Sequence, residues 1–235
     1  MNTKALEKPH LIRMQKAYKE MKRTLFGNTL INKDVAEELI NHYGGDAGHQ
    51  TDVKTSNLGY GFIHYSFIRN IRPSRVLCIG SRTGYIPAIC AIACKDNGYG
   101  AVDFVDAGLD EKDKSSWSGI GFWKKTNVEK HFSKLDLSSW LNFFLMTTNT
   151  FAKKFPSRRY DYIYIDGDHS YHGVKNDYSL FWSRLSKGGF MVFHDATVKN
   201  WGPLKNFGVW RLLKQIKKNK LILPLDQSGL AIVQK

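Results

Sequence analysis

Residues 160–196 constrain the fold more than any other stretch of this chain: YDYIYIDGDHSYHGVKNDYSLFWSRLSKGGFMVFHDA. An apolar strand over Tyr162–Ile165 runs into acids and a histidine. A helix-length segment over Val174–Leu185 follows. Gly188-Gly189 then turns the chain into a second apolar strand, Phe190–Phe193, which ends in His194-Asp195. Strand, helix and strand in about 35 residues is the βαβ unit, whose two strands lie parallel. Parallel neighbours end at the same sheet edge. Asp166, Asp168, His169, His194 and Asp195 are therefore expected together at the carboxyl edge, where open α/β sheets bind ligands.

The flanking segments extend the same pattern. Arg75–Ile79 reads as a buried strand, Gly80–Gly84 as a turn and Tyr85–Lys95 as a small-residue helix. Ala101–Val105 is a second strand ending at Asp106. A helix is expected over Val128–Lys134, a strand near Asn142–Met146, and a helix containing Phe151 and Phe155. Val209, Trp210, Leu212, Leu213 and Ile216 mark a last amphipathic helix. LILPL and LAIVQ around Asp226–Gly229 form a terminal hairpin. The fold class is thus α/β: a doubly wound, mostly parallel seven-stranded sheet with an antiparallel terminal hairpin and N-terminal helices.

The chain divides at about residue 58. Within 1–58, an amphipathic helix carries Leu11, Met14, Tyr18, Met21 and Leu25 and could pack on the core or on a second copy of the chain. A second helix runs over Lys33–Tyr43 with Asn32 as N-cap and Gly44-Gly45 as its end. Residues 46–60 form a polar, lid-like loop. The domain proper spans 59–235, and residues 108–127 are an irregular insert. Trp117, Phe122 and Trp123 in that insert, and Trp201 and Phe207 later, suit either a substrate platform or a cover for the sheet edge or a subunit contact.

Charge and cysteine usage narrow the setting. The net charge is +14, and the excess sits at the two ends: seven Lys/Arg against two Glu in 1–25, and eight Lys/Arg against one Asp in 199–235. Such ends permit a nucleic acid partner, although solvated helix faces are the favoured reading. No apolar run approaches the roughly 18 residues of a membrane span. Three cysteines without a C-x-x-C argue against a disulfide framework. Cys90 and Cys94 read as small core residues, and a reducing, cytoplasmic setting is expected.

Chemistry is suggested at two places. Gly80-x-x-x-Gly84 after a strand permits close backbone approach to a ligand, with a helix N-terminus behind it for an anionic group. Asp106, ending the next strand, is placed to accept hydrogen bonds from ribose hydroxyls. Asp103 lies inside that strand.

IGSRTGY and DYIYIDGDHSYHGVKNDYSLFWSRLSKGGFMVFHD, over residues 60–200, resemble the class I S-adenosylmethionine-dependent methyltransferases. The likeness is strongest to the metal-dependent O-methyltransferases of sugars and small molecules (methyltransferase domain 24-like). It implies cofactor binding by Gly80, Ser81, Gly84, Tyr85 and Asp106, and a divalent metal held by Asp166, His194 and Asp195. It further implies His169 as general base toward the hydroxyl of a small-molecule acceptor. Cys78 stands where the family carries an acid. His194 also departs from the usual acidic ligand, which shifts metal preference from Mg²⁺ toward softer divalent ions. Asp168 reads as a helix cap or supporting residue, and His172 and Asp177 as solvated helix residues. An RNA methyltransferase using the basic ends is the alternative, though N/D-P-P-Y is absent. A non-catalytic binding protein on the same fold is a third reading, motivated by Cys78 and His194.

Overall fold

The computed structural model describes residues 31–44, 47–110, 112–113, 120–200, 207–224 and 228–235. The amphipathic segment 11–25, Trp117, Trp201 and Asp226-Gln227 lie outside these residues.

Seven strands form one sheet: β1 (Arg75–Ile79), β2 (Ala101–Asp106), β3 (Leu141–Leu145), β4 (Tyr160–Ile165), β5 (Leu185–His194), β6 (Lys220–Leu223) and β7 (Leu230–Gln234). Their order is β3-β2-β1-β4-β5-β7-β6. The first five are parallel, and β7 pairs antiparallel with both β5 and β6. The expected doubly wound sheet with an antiparallel terminal hairpin is therefore the observed one.

Both faces of the central strands are buried, as parallel strands covered by helices require. Val76, Cys78, Tyr162, Tyr164 and Val192 point to one core, and Leu77, Ile79, Ile163, Ile165, Met191 and Phe193 to the other. The first core is closed by α1 (Lys33–Glu38), α2 (Tyr60–Ile71) and α3 (Tyr85–Asn97). The second lies under α6 (Thr148–Lys154), α7 (Tyr171–Phe181) and α8 (Val209–Gln215). Two short helices, α4 (Phe122–Lys125) and α5 (Val128–Phe132), come from the insert and its continuation. Asn32 caps α1 by accepting from Val35 N–H at 2.9 Å, as its position predicts. The helix then loosens into a π turn over Leu39–Gly44. Ala36, Leu39, Tyr43 and Leu58 join the first core, so the described part of 31–58 shares the domain's interior. Cys78, Cys90 and Cys94 are buried free thiols.

Gly188-Gly189 differs from expectation. It lies within β5, where the register passes from Tyr160↔Leu185 to Tyr162↔Phe190. The glycines form a bulge rather than a turn ahead of the strand. No described helix is long and apolar enough to cross a membrane.

The register aligns the strand ends. Ile79 pairs with Val105 and with Ile165, and Ile165 pairs with Phe193. Gly80, Asp106, Asp166 and His194 therefore follow in one row at the carboxyl edge.

Candidate active site

The glycine turn forms one half of this edge. Gly80 has φ +73°, a left-handed conformation that favours glycine, and a Cβ there would stand 2.4 Å from the Asp166 carbonyl oxygen. Gly84, at φ +94°, precedes α3 in the same region. Between them Ser81 holds the turn. Its N–H donates to Asp106 Oδ2 at 3.1 Å, and its hydroxyl accepts from Gly84 N–H at 3.1 Å. Asp106 Oδ1 accepts from Gly108 N–H at 2.7 Å. Burial lifts the Asp106 carboxyl to about 6, against these backbone hydrogen bonds. Tyr85 enters differently: its side chain is buried and its hydroxyl donates to the Leu58 carbonyl at 2.6 Å.

Trp123 is not an exposed platform. It is 4% exposed, and its Nε1–H donates to the Ser81 carbonyl at 2.8 Å. His131 approaches the same turn from the next helix, with Nε2 3.0 Å from the Thr83 carbonyl. The insert thus folds back to brace the turn.

The other half is the acid–histidine cluster. Asp166, His169, His194 and Asp195 each bring one ligand atom to within 4.8 Å of the others. His169 Nδ1 lies 2.8 Å from Asp195 Oδ2, and its Nε2 lies 3.7 Å from Asp166 Oδ1. Asp195 has φ +54°, a left-handed conformation rare for a non-glycine residue. Strain of this kind persists where the surroundings over-determine it, and it clusters at functional sites. The strained turn is what aims the carboxylate back at His169. The His169 ring also rests near Phe207, with centroids 5.6 Å apart, and its carbonyl accepts from Gly208 N–H at 2.8 Å.

His194 is 5% exposed. Its Nδ1 is 3.0 Å from Asp166 Oδ1 and 3.4 Å from Asp195 Oδ2, yet no partner is aligned for a hydrogen bond. Burial alone would keep the ring neutral. The charges of Asp166 and Asp195 outweigh it and hold His194 well above the usual imidazole value. Burial works in the opposite sense on the carboxylates. The histidines overcome it, His194 first at Asp166 and His169 first at Asp195, and hold both below the ordinary range.

A buried ring nitrogen pointed between two carboxylates, with a second imidazole beside it, fits a divalent cation. The His194 nitrogen with the Asp166 and Asp195 oxygens suits borderline transition ions better than Mg²⁺.

Sequence reasoning missed His49. It is 2% exposed and stacks on His194 with ring centroids 4.7 Å apart. It comes from the polar loop before α2, where no periodicity marks it. Asp168 supports the loop: its Oδ1 accepts from Ser170 N–H at 2.9 Å, and Ser170 caps α7 through Gly173 N–H at 3.1 Å. His172 is exposed, as expected. Asp177 is not solvated. It is 4% exposed and accepts from the Thr148 hydroxyl at 2.7 Å. Asp103 is fully buried and bound by Arg158, Arg75, Tyr160 and Asn142, which makes it an anchor of the sheet.

Comparison with known proteins agrees with this fold. The O-methyltransferase from Bacillus cereus in complex with S-adenosylhomocysteine (SAH) superposes with a TM-score of 0.57 at 12% identity, covering 93% of this chain and 97% of that one. The SAH-bound Podospora anserina methyltransferase PaMTH1 gives 0.56 at 13%, covering 94% and 96%. At such identities the likeness is one of fold. The uncharacterized protein R132 of Acanthamoeba polyphaga mimivirus is 37% identical over 60 residues, which span 26% of this chain and 27% of that protein. A family model described as a methyltransferase domain matches residues 77–196, taking in both the glycine turn and the His194-Asp195 strand end. Fold, glycine turn and family match agree, and the chain belongs to the methyltransferase domain family of class I S-adenosylmethionine-dependent methyltransferases.

Proposed function

We propose that this protein is an S-adenosylmethionine-dependent O-methyltransferase acting on a hydroxyl of a sugar or other small molecule. One observation carries the reading. The Asp166–Gly167 backbone lies directly against Gly80, so the cofactor turn and the acid–histidine cluster form one continuous site. A methyl donor held at the turn would meet an acceptor held at the cluster.

In the reaction, the acceptor oxygen forms a bond to the methyl carbon as the carbon–sulfur bond breaks. The electron pair of that bond would stay on sulfur, so the donor would leave as a neutral thioether. His169 accepts the hydroxyl proton. The Asp195 carboxylate fixes Nδ1 as the donor nitrogen and stabilises the imidazolium that results, leaving Nε2 as the basic atom. Glycines at 80 and 84 would admit the cofactor close to the backbone, and Asp106 would accept from its ribose. Asp166, His194 and Asp195 would hold a divalent ion, which when bound lowers the pKa of a hydroxyl on it. Much of the rate in such a displacement comes from placing donor and acceptor in line.

Three measurements test this. Calorimetry with SAH should show one site per chain. Transfer of labelled methyl from S-adenosylmethionine should be found across a panel of sugars and phenols. His169→Gln should lower kcat by roughly 10²–10⁴ with SAH affinity unchanged. A wild-type protein that does not bind SAH would sink the proposal.

A further inference from the structure

The segment ahead of the sheet reaches the acid–histidine cluster through two consecutive residues. The short turn Ala47–His49 places the Gly48 carbonyl 3.2 Å from His194 Nε2. A carbonyl only accepts, so this ring nitrogen carries a proton and donates. The next residue, His49, covers the ring itself, with planes 17° from parallel. His49 Nε2 is 3.2 Å from the Tyr164 hydroxyl and 3.8 Å from Asp166 Oδ2. Its ring packs edge-to-face with Tyr85, the first residue of α3. A single buried ring therefore touches the end of β4, the start of α3 and the end of β5.

An imidazole can present either nitrogen by turning over about its Cβ–Cγ bond, and a partner on one nitrogen decides which faces the site. With Nε2–H committed to Gly48, the nitrogen turned toward Asp166 and Asp195 is Nδ1. The stacked face of His49 prevents the turnover. We infer that the Gly48–His49 turn is the positioning element for His194, so that the site is complete only with the segment preceding the methyltransferase domain in place. His49 is a positioning residue, since it acts through His194. The inference rests on the reading of His194 as part of the methyl-transfer site. Partners of this kind behind a metal-binding histidine typically change metal affinity by about 10–100-fold.

The first test needs neither metal nor turnover. In ¹⁵N-labelled protein, the ring N–H of His194, identified by its loss in His194→Asn, is expected as a slowly exchanging proton. His49→Ala should speed that exchange by about tenfold or more, and His49→Phe, which restores a flat ring, should recover most of the protection. Exchange in His49→Ala equal to wild type overturns the inference. If His49→Ala does not fold, His49→Gln, which lacks the flat ring, takes its place with the same two outcomes. The second test titrates Mn²⁺ alone, followed by electron paramagnetic resonance. Binding to His49→Ala should be about 10–100-fold weaker than to wild type, and equal affinity overturns the inference. A wild type that binds no Mn²⁺ removes the metal from the proposed function, while the exchange experiment still decides the role of His49.

Discussion

Asp177→Asn should make this protein more stable at neutral pH, and the gain should vanish in acid. Asp177 lies on the inner face of α7 in line with Val174 and Phe181, and is 4% exposed. Burial pushes its carboxyl from 3.8 to about 6, against the Thr148 hydroxyl and Asn176, with a smaller upward push from Asp168. The folded chain thus holds the proton more tightly than the unfolded chain. Below about pH 4 both states are protonated and the fold keeps its full stability. Between about pH 4 and 6 the unfolded chain releases the proton first and stability falls. Above about pH 6 the loss is complete. Two pH units at about 1.4 kcal/mol each put it on the order of 3 kcal/mol. Asparagine resembles the protonated acid. Its Oδ1 can still accept from Thr148, and it carries no charge to repel Asp168. At pH 7.5, Asp177→Asn is expected to gain about 1–3 kcal/mol. Urea unfolding at pH 4.5 and 7.5 measures this as a shift in midpoint at unchanged slope. A lower midpoint at pH 7.5, or the same difference at both pH values, would refute the reasoning.

Two further expectations concern the two acids of β2, Asp103 and Asp106. Asp103→Ala leaves the Arg158 and Arg75 guanidinium groups, at 2.6 and 3.2 Å, without their carboxylate. Asp103 is buried but both guanidinium groups are partly exposed and can regain water, so the loss is about 1–3 kcal/mol, and the urea midpoint should drop while the SAH affinity of the folded protein stays unchanged. Asp106 must be ionised to accept from both ribose hydroxyls, and its carboxyl sits at about 6. SAH affinity measured by calorimetry should therefore be flat above about pH 7 and fall by roughly tenfold per unit below pH 6. In Asp106→Asn it should be weak at every pH, and a pH-independent wild type would refute this role for Asp106.

Much of the site was legible because its residues lie at strand ends. Asp166, His194 and Asp195 directly follow apolar runs, and parallel pairing of those runs brings them to one edge without any long-range guess. His169 is three residues from Asp166 and is carried along with it. Asp177 was legible too, but misread. Val174, Asp177 and Phe181 repeat at helical spacing, so the helix that buries the first and last must bury the acid between them. An acid was assigned to solvent by its type, when its position on the helix placed it inside. Asp103 makes the same point on a strand. In a sheet covered on both faces, every residue of AVDFVD short of the ends is buried, and a charge there needs charged partners.

The residues that could not be read are those whose meaning is made by another segment. Trp123 sits among glycines and polar residues, the surroundings of an exposed loop. It becomes a brace only because the insert returns to the Ser81 carbonyl, 42 residues away in sequence. Gly48 and His49 are further still, 146 residues from His194 and 115 from Tyr164 along the chain. Neither carries a pattern, since a carbonyl belongs to every residue and a lone histidine in a polar loop has no period. Local sequence thus encodes where the reactive groups stand, and tertiary contact encodes which way they point. His194 shows the division most clearly. Its type and place follow from the strand that it ends. Which of its nitrogens faces Asp166 follows from the Gly48 carbonyl, 146 residues away along the chain.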